Sequence, residues 1–265
     1  MSNSLRSILV LIAFAFCALG CDAQTTPRNV ATGPVVASAD KLRGVVLDAS
    51  RDPGVGALSR FADLGAGVIC VVPYSFMPDP RQPDMRWRRD ARWFSENADG
   101  IARMADEART LGVRLAIKPQ VWLRDGAWPG NVEMSNEADW KAWEASYREY
   151  VLFWAGIAAG VDAQVFVMGS ELDQAATIRP AFWRGLASDV RAIYDGTITY
   201  AANWDRLAEI GFWKSVDAIG VQAYFPISTK TNPTAADLRA GWTPHLDVLR
   251  GVARLNDRPV LFTEV

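Results

Sequence analysis

The chain has 265 residues, of which 50% are hydrophobic and 22% are charged, so it can form a globular core and is not of the disordered class. Its formal net charge of −2 gives no general attraction to phosphate backbones, which argues against a nucleic-acid partner. The length suits a single barrel domain of about 250 residues.

The first 21 residues have the pattern of a secretory leader. Arg6 precedes a short apolar run, and Gly20-Cys21 at its end resembles a bacterial lipobox, in which the cysteine carries a lipid. Ala18 stands three residues before Cys21, where leucine is usual, so plain secretion and an uncleaved anchor stay open. The sequence predicts a protein of the bacterial cell envelope, held to a membrane by a lipid on Cys21. A secreted or periplasmic protein is the alternative.

Residues 22–40 are rich in Thr, Pro, Ala and Ser, which predicts a flexible tether before a domain over residues 41–265. Cys70 is the only cysteine of that domain, so a mature chain has no disulfide framework. Its position in an apolar strand predicts a buried, inert thiol.

From residue 41 onward, apolar segments of strand length alternate with longer segments of helical periodicity, as in βα units around a parallel sheet. The predicted strands are 44–48, 68–74, 114–119, 165–171, 197–203, 218–224 and 258–264. The predicted helices are 55–64, 97–111, 137–159, 180–194, 206–212 and 235–255.

These elements predict an α/β fold of the (β/α)8 TIM-barrel type that ends after strand seven. A closed barrel of this type needs eight strands, so we expect the domain to be incomplete at its C-terminal side. Seven strands alone would leave unpaired backbone groups on the first and last strands. A complete open α/β sheet is the alternative.

Glutamates close the fourth and seventh predicted strands, at Glu171 and Glu264. The C-terminal ends of all barrel strands meet at one face, so the two carboxyl groups are expected to share a pocket. Retaining glycoside hydrolysis uses two carboxyl groups about 5–5.5 Å apart. We predict Glu171 as the acid/base, with a pKa raised by burial and by its neighbour, and Glu264 as the nucleophile. A solvated charge at the rim is the alternative for each.

Other strand ends carry side chains that suit a sugar substrate. Tyr224 either reaches Glu264 with its hydroxyl or packs at the rim. Asn203 either binds sugar hydroxyls or caps the following helix. Lys118 either reaches a substrate oxygen or forms an ion pair within the barrel. Asp48 either contacts the substrate at the floor of the site or serves as a cap. The tryptophans of this face, which either stack on sugar or only pack, are Trp87, Trp93, Trp122, Trp128 and Trp204.

The sequence lacks residues that several other kinds of active site require. His245 is the only histidine and lies in a predicted helix, so a Ser-His-Asp triad has no natural base and a histidine-ligated metal site has no support. Gly54-Val55-Gly56 follows the first strand but lacks the third glycine of a dinucleotide-binding loop. The sequence therefore predicts neither a cofactor nor a metal.

The domain resembles the clan A barrel glycosidases, and most of all glycoside hydrolase family 113, whose members include endo-β-1,4-mannanases. The resemblance covers residues 41–265 and rests on Lys118-Pro119, Gly169-Ser170-Glu171-Leu172 and the segments 219–226 and 259–265. It implies cleavage of a β-1,4-linked hexose polysaccharide, with mannan as the first candidate. It also implies Glu171 as the acid/base and Glu264 as the nucleophile.

Two positions depart from the clan's pattern. Ser170 stands where many relatives have an asparagine that binds the sugar 2-hydroxyl, and Gln120 stands where related barrels carry a histidine. Both positions are candidates for substrate contact. The alternatives to a mannanase are a β-glucanase or xylanase of clan A, a non-catalytic polysaccharide-binding barrel and an inactive fragment. A monomer is expected.

Overall fold

The computed structural model describes residues 13–17, by their backbone, and residues 41–265. Cys21, most of the predicted leader and the predicted tether lie outside the described residues, so lipidation stays a prediction. Within the described part, no helix has the length and apolar character needed to cross a membrane.

The centre of the domain is a barrel of parallel strands, as predicted. In chain order the strands of the structure are β1 (Ala13–Cys17), β2 (Arg43–Leu47), β3 (Val68–Val71), β4 (Tyr74–Met77), β5 (Arg114–Ile117), β6 (Gln120–Leu123), β7 (Val165–Ser170), β8 (Thr197–Asn203), β9 (Ala218–Gln222) and β10 (Val260–Glu264). Seven of them form the parallel sheet, in the order β10-β9-β8-β7-β5-β3-β2. The open α/β sheet considered as an alternative is therefore wrong, because β1 joins the two edges.

The β1 strand lies between β10 and β2 and runs antiparallel to both. Phe16 pairs with Leu261, and Phe14 pairs with Gly44. These residues belong to the predicted leader, which stays a prediction, and their backbone here occupies the position of an eighth strand. The physical reason is that β2 and β10 would otherwise leave backbone N–H and C=O groups without partners.

The second and third predicted strands end earlier than expected, and a further strand follows each. The second ends at Val71 and is followed by β4, and the third ends at Ile117 and is followed by β6. The breaks fall at Pro73 and Pro119, which have no backbone N–H for a ladder. The β4 and β6 strands pair with each other as a separate two-stranded parallel sheet. The sequence predicted neither residues 75–77 nor residues 120–123 as strand.

The helices lie between successive strands. They are α1 (Ser59–Asp63), α2 (Ala98–Thr110), α3 (Glu137–Gly160), α4 (Asp173–Ile178), α5 (Pro180–Arg191) and α6 (Ala235–Asn256). The first turns of α2, α3 and α6 are capped by side chains that accept hydrogen bonds from backbone N–H groups. The capping residues are Asn97, Asn136 and Thr234, respectively.

Three helix predictions need correction. The segment predicted as a helix over 55–64 is shortened to α1, because Gly54 and Gly56 adopt positive φ angles of 84° and 83° that a helix excludes. The helix predicted over 206–212 is replaced by short 3-10 turns. The α4 helix was not predicted, since its six residues are too few to show a helical period.

Strand side chains alternate between two apolar layers. Val165 and Val167 face the barrel interior together with the buried Cys70, while Phe166 and Met168 pack outward against the helices. Burial raises the pKa of the Cys70 thiol to about 12, in keeping with the predicted inert cysteine. Five aromatic residues of α3 and α5 complete the outer layer and are fully buried: Trp143, Tyr147, Tyr150, Trp154 and Trp183.

Candidate active site

Glu264, the last residue of β10, lies at the C-terminal face of the barrel, where two polar side chains contact its carboxyl group. The Nζ atom of Lys118, which extends the line of β5, forms an ion pair with Glu264 Oε1. The hydroxyl of Tyr224 donates a hydrogen bond of 2.6 Å to the other oxygen, Oε2. Lys118 is 1% exposed and the carboxyl group is 12% exposed, so the pair is largely shielded from water.

The carboxyl group of Glu264 is held in its ionised form. Burial by itself would raise its pKa, but the Lys118 ammonium group and the hydrogen bond from Tyr224 outweigh burial and lower the pKa below its usual value. An ionised carboxylate that water hardly reaches is what a nucleophilic role requires.

Glu171 follows β7 and has a backbone conformation that its neighbours enforce. Its φ of 57° lies in the left-handed region, which is uncommon outside glycine. The Glu171 N–H donates to the Ala201 carbonyl at 2.9 Å, and the next N–H, that of Leu172, donates to the Tyr200 hydroxyl at 2.9 Å. Strained backbone held by its surroundings is found most often at functional sites.

The pKa of Glu171 is shifted in the opposite direction to that of Glu264. Burial raises it, and the negative charge of Glu264 raises it further, whereas Gln222 and Lys118 oppose the shift. The charge of Glu264 therefore favours the protonated form of Glu171. Such a pair, with one member favoured as acid and the other as anion, is the arrangement that acid/base chemistry needs.

The Gln222 side chain interacts with both carboxyl groups. Its Oε1 accepts a hydrogen bond of 2.8 Å from the Thr263 hydroxyl, which fixes the amide so that Nε2 is free to face the carboxyl groups. The amide lowers the pKa of both Glu171 and Glu264. Nε2 is buried, so its role is to support the two carboxyl groups from within the barrel.

Asn203, at the end of β8, is held by a carboxyl group two residues beyond Glu171. Its Nδ2 donates to both carboxyl oxygens of Asp173, at 3.1 and 3.2 Å. Burial raises the pKa of Asp173 to about 6, although the bond from Asn203 opposes this. The N-cap of the following 3-10 turn is Arg206, so Asn203 does not cap it, and contact of Asn203 with substrate stays a prediction.

The other predicted contact residues have diverse surroundings. Ser170 is buried beside Glu171, and its hydroxyl has no hydrogen-bond partner within the described part of the chain. Gln120 is half-buried at the start of β6, two residues before the exposed Trp122. Trp128 is exposed, whereas Trp204 packs against the Phe225 and His245 rings at centroid distances of 5.8 and 5.4 Å.

Sequence reasoning did not single out Gln222 or Asp173. A signal for Gln222 was present, since Ala218, Gly220 and Gln222 alternate along one face of β9 toward the barrel interior. Asp173 gave no comparable signal, because an acidic residue at the start of a helix is common for electrostatic reasons alone. Within residues 41–265, no group of three or more His, Cys, Asp or Glu side chains is placed to hold a metal ion.

Comparisons with known proteins agree with this barrel. The sequence model of glycoside hydrolase family 113 matches residues 51–265. A GH113 β-mannanase from Alicyclobacillus acidocaldarius is similar in structure, with 28% sequence identity and a TM-score of 0.69 over 79% of this chain and 64% of that one. A GH113 β-1,4-mannanase has 25% identity and a TM-score of 0.63 over 77% of this chain and 61% of that one. The chain thus spans less than two thirds of the length of either. No curated protein matches the sequence significantly.

Proposed function

Because the chain belongs to glycoside hydrolase family 113, we propose that it is a retaining glycoside hydrolase that cleaves a β-1,4-linked hexose polysaccharide, with mannan as the first candidate. The observation that carries the proposal is the placement of Glu171 and Glu264 at the C-terminal ends of β7 and β10, with Glu264 bound by Lys118 and Tyr224 and the pKa values of the two glutamates shifted in opposite directions. The similarity to two enzymes described as β-mannanases supports mannan over other β-1,4-linked polymers.

In the first step, the Glu264 carboxylate attacks the anomeric carbon and forms a covalent glycosyl ester. Glu171 gives its proton to the glycosidic oxygen, so the leaving sugar departs as a neutral alcohol. In the second step, the now ionised Glu171 takes a proton from water as that water attacks the ester. Glu264 is released as a carboxylate and Glu171 is again protonated, which restores the starting state.

Three other groups serve this cycle. Lys118 and Tyr224 stabilise the charge on Glu264 before the attack and after release. The Gln222 amide interacts with both carboxyl groups and favours their ionised forms.

The test is hydrolysis of β-1,4-linked manno-, gluco- and xylo-oligosaccharides, with the anomeric form of the first product followed by proton NMR. We expect turnover of the manno-oligosaccharide and a β-anomer as the first product. A double variant with Glu171→Gln and Glu264→Gln controls for contaminating activity. An α-anomer as first product rules out retention, and binding without turnover would identify a polysaccharide-binding barrel instead.

The pH dependence of kcat/KM follows from the two carboxyl groups. Activity requires an ionised Glu264, so the rate rises with pH through a pKa below the usual value for Glu. It also requires a protonated Glu171, so the rate falls as pH rises through a pKa above the usual value. We expect a bell-shaped profile whose two apparent pKa values belong to the coupled pair. A rate that keeps rising well into the alkaline range would contradict these roles.

A further inference from the structure

Asp173 is a buried acid at the C-terminal face of the barrel that the proposed mechanism does not use. It is the first residue of α4 and is 2% exposed. Among the described residues, Lys118 is the only other charged side chain that is buried, and it is ion-paired with Glu264. Arg206, whose charge acts on Asp173, forms its own ion pair with Glu209. Because burial of a carboxyl group is costly, Asp173 is a candidate for a role in the site.

Asp173 determines which way the Asn203 amide points. Nδ2 of Asn203 lies 3.1 and 3.2 Å from the two carboxyl oxygens of Asp173. An ionised carboxyl group only accepts hydrogen bonds, and in an amide the nitrogen donates and the oxygen accepts. The reverse orientation would place Oδ1 against two other acceptors. The contact therefore fixes Nδ2 toward Asp173 and turns Oδ1, a hydrogen-bond acceptor, to the opposite side.

The strand register places this amide between the strands that carry the two glutamates. Along β8, Ala201 belongs to the inner layer of the barrel, so Asn203, two residues on, faces the same side. Asn203 pairs in register with Gln222 of β9, and Gln222 pairs with Glu264 of β10. Because neighbouring strands lie about 4.8 Å apart, the backbones at Asn203 and Glu264 are separated by about 10 Å. On the other side, the Glu171 N–H donates to the Ala201 carbonyl at 2.9 Å.

The contact between the two side chains depends on the charge of Asp173. Burial raises its pKa to about 6, and the charges of Asp205 and Glu171 add to the shift, while the bond from Asn203 and the charge of Arg206 oppose it. A protonated Asp173 has an O–H that can donate to Oδ1, so the amide can turn over and present Nδ2 instead. The ionised form of Asp173 therefore selects the orientation in which an acceptor faces the site.

We propose that Asp173 is a positioning residue for substrate binding: its carboxylate orients the Asn203 amide so that Oδ1 accepts a hydrogen bond from a hydroxyl group of the sugar bound between the two glutamates. The identity of the sugar and its place there rest on the proposed function. A sugar hydroxyl then meets a fixed acceptor, whereas an amide that turns over freely presents its donor part of the time and loses this contact.

A double-mutant cycle tests whether Asp173 acts through Asn203. Asp173→Asn keeps the shape of the side chain but can either accept from or donate to the Asn203 amide, so it no longer selects one orientation. We expect it to lower kcat/KM for mannotetraose about tenfold. When Asn203 is already alanine, the same change should have an effect below about twofold. An equal loss with and without Asn203 would overturn the proposal while leaving the hydrolase intact.

Asp99→Asn is the matched control. Asp99 is an exposed aspartate in the first turn of α2, so the change removes the same charge from the same part of a helix. We expect kcat/KM for mannotetraose to stay at the wild-type value. A tenfold loss in this variant as well would show that the effect of Asp173→Asn comes from the lost helix charge, and would overturn the proposal.

Binding provides a second measurement, in which neither catalytic carboxyl group titrates. In the Glu171→Gln/Glu264→Gln protein, we expect calorimetric titration to show that mannotetraose binds about tenfold more weakly as pH falls through the pKa of Asp173. That pKa should be near or below 6, because the Glu171 charge that raises it is gone. Tyr200, which also lies in the field of Asp173, stays uncharged in this range, since burial raises its pKa well above the usual value.

The variants of this double-glutamine protein decide the outcome. Asp173→Asn and Asn203→Ala should each weaken binding at neutral pH and remove the step near pH 6. A step that persists in Asn203→Ala, or binding that does not change with pH before any further substitution, would overturn the proposal. If the step is present and the wild-type protein does not hydrolyse mannotetraose, the proposed hydrolysis fails and the role of Asp173 stays. Absence of any binding would overturn both.

Discussion

Replacement of Glu171 by glutamine is expected to slow the hydrolysis of β-1,4-mannan by about 10²–10⁴-fold, the usual contribution of a positioned general acid. Glutamine keeps the size of the side chain but carries no proton to give to the glycosidic oxygen. The Glu171 backbone has a φ of 57° and is held by the bonds from its own N–H and that of Leu172, so an isosteric change should leave the fold intact.

The sharper form of this experiment varies the leaving group. With 2,4-dinitrophenyl β-mannobioside the departing phenolate needs no proton, so the Glu171→Gln variant should form the glycosyl ester at close to the wild-type rate. The second step still needs a base, and the ester should accumulate and give a burst of dinitrophenol. Glu264→Gln, which removes the nucleophile, should abolish the burst. An equal loss on mannan and on the activated substrate would show that Glu171 is not the acid.

Much of this site could be predicted from the sequence because barrel geometry translates chain order into position. Once strands are recognised by their apolar runs, their C-terminal ends must meet at one face, and Glu171 and Glu264 come together there although 93 positions separate them in the chain (264 minus 171). The same rule brings Lys118 and Tyr224 to Glu264. The sequence left open whether Lys118 meets substrate or a carboxylate, since either partner suits an ammonium group at a strand end.

Other parts of the structure could not be predicted in the same way. Glu96 lies in a 3-10 turn after a long connection, and no periodic pattern tells where such a connection returns to the barrel. The β4 and β6 sheet depends on a pairing between distant segments that Pro73 and Pro119 isolate from the main ladder. Nor could the antiparallel β1 be foreseen, because an apolar run near an N-terminus has the same composition as a leader.

Replacement of Lys118 by methionine should affect stability and catalysis together, because this side chain is 1% exposed and is ion-paired with Glu264. Removing one partner of a buried ion pair leaves the other charge without compensation, which typically lowers the free energy of unfolding by about 3–5 kcal/mol. Lys141→Met, at an exposed lysine of α3, is the matched control and should change it by less than about 0.5 kcal/mol. Both values can be measured by urea unfolding at neutral pH.

The catalytic consequence has a definite sign. Lys118 is the first of the groups that lower the pKa of Glu264 against the effect of burial, so its loss should raise that pKa. The rising limb of the kcat/KM profile should therefore move to higher pH by about 1–3 units, the range typical of a lost opposite charge. In the double variant Lys118→Met/Glu264→Gln the two stability losses should be far from additive, because the second change removes the charge that the first left buried. A rising limb that stays in place in Lys118→Met, with stability lowered as expected, would mean that Lys118 supports the fold without setting the charge of the nucleophile.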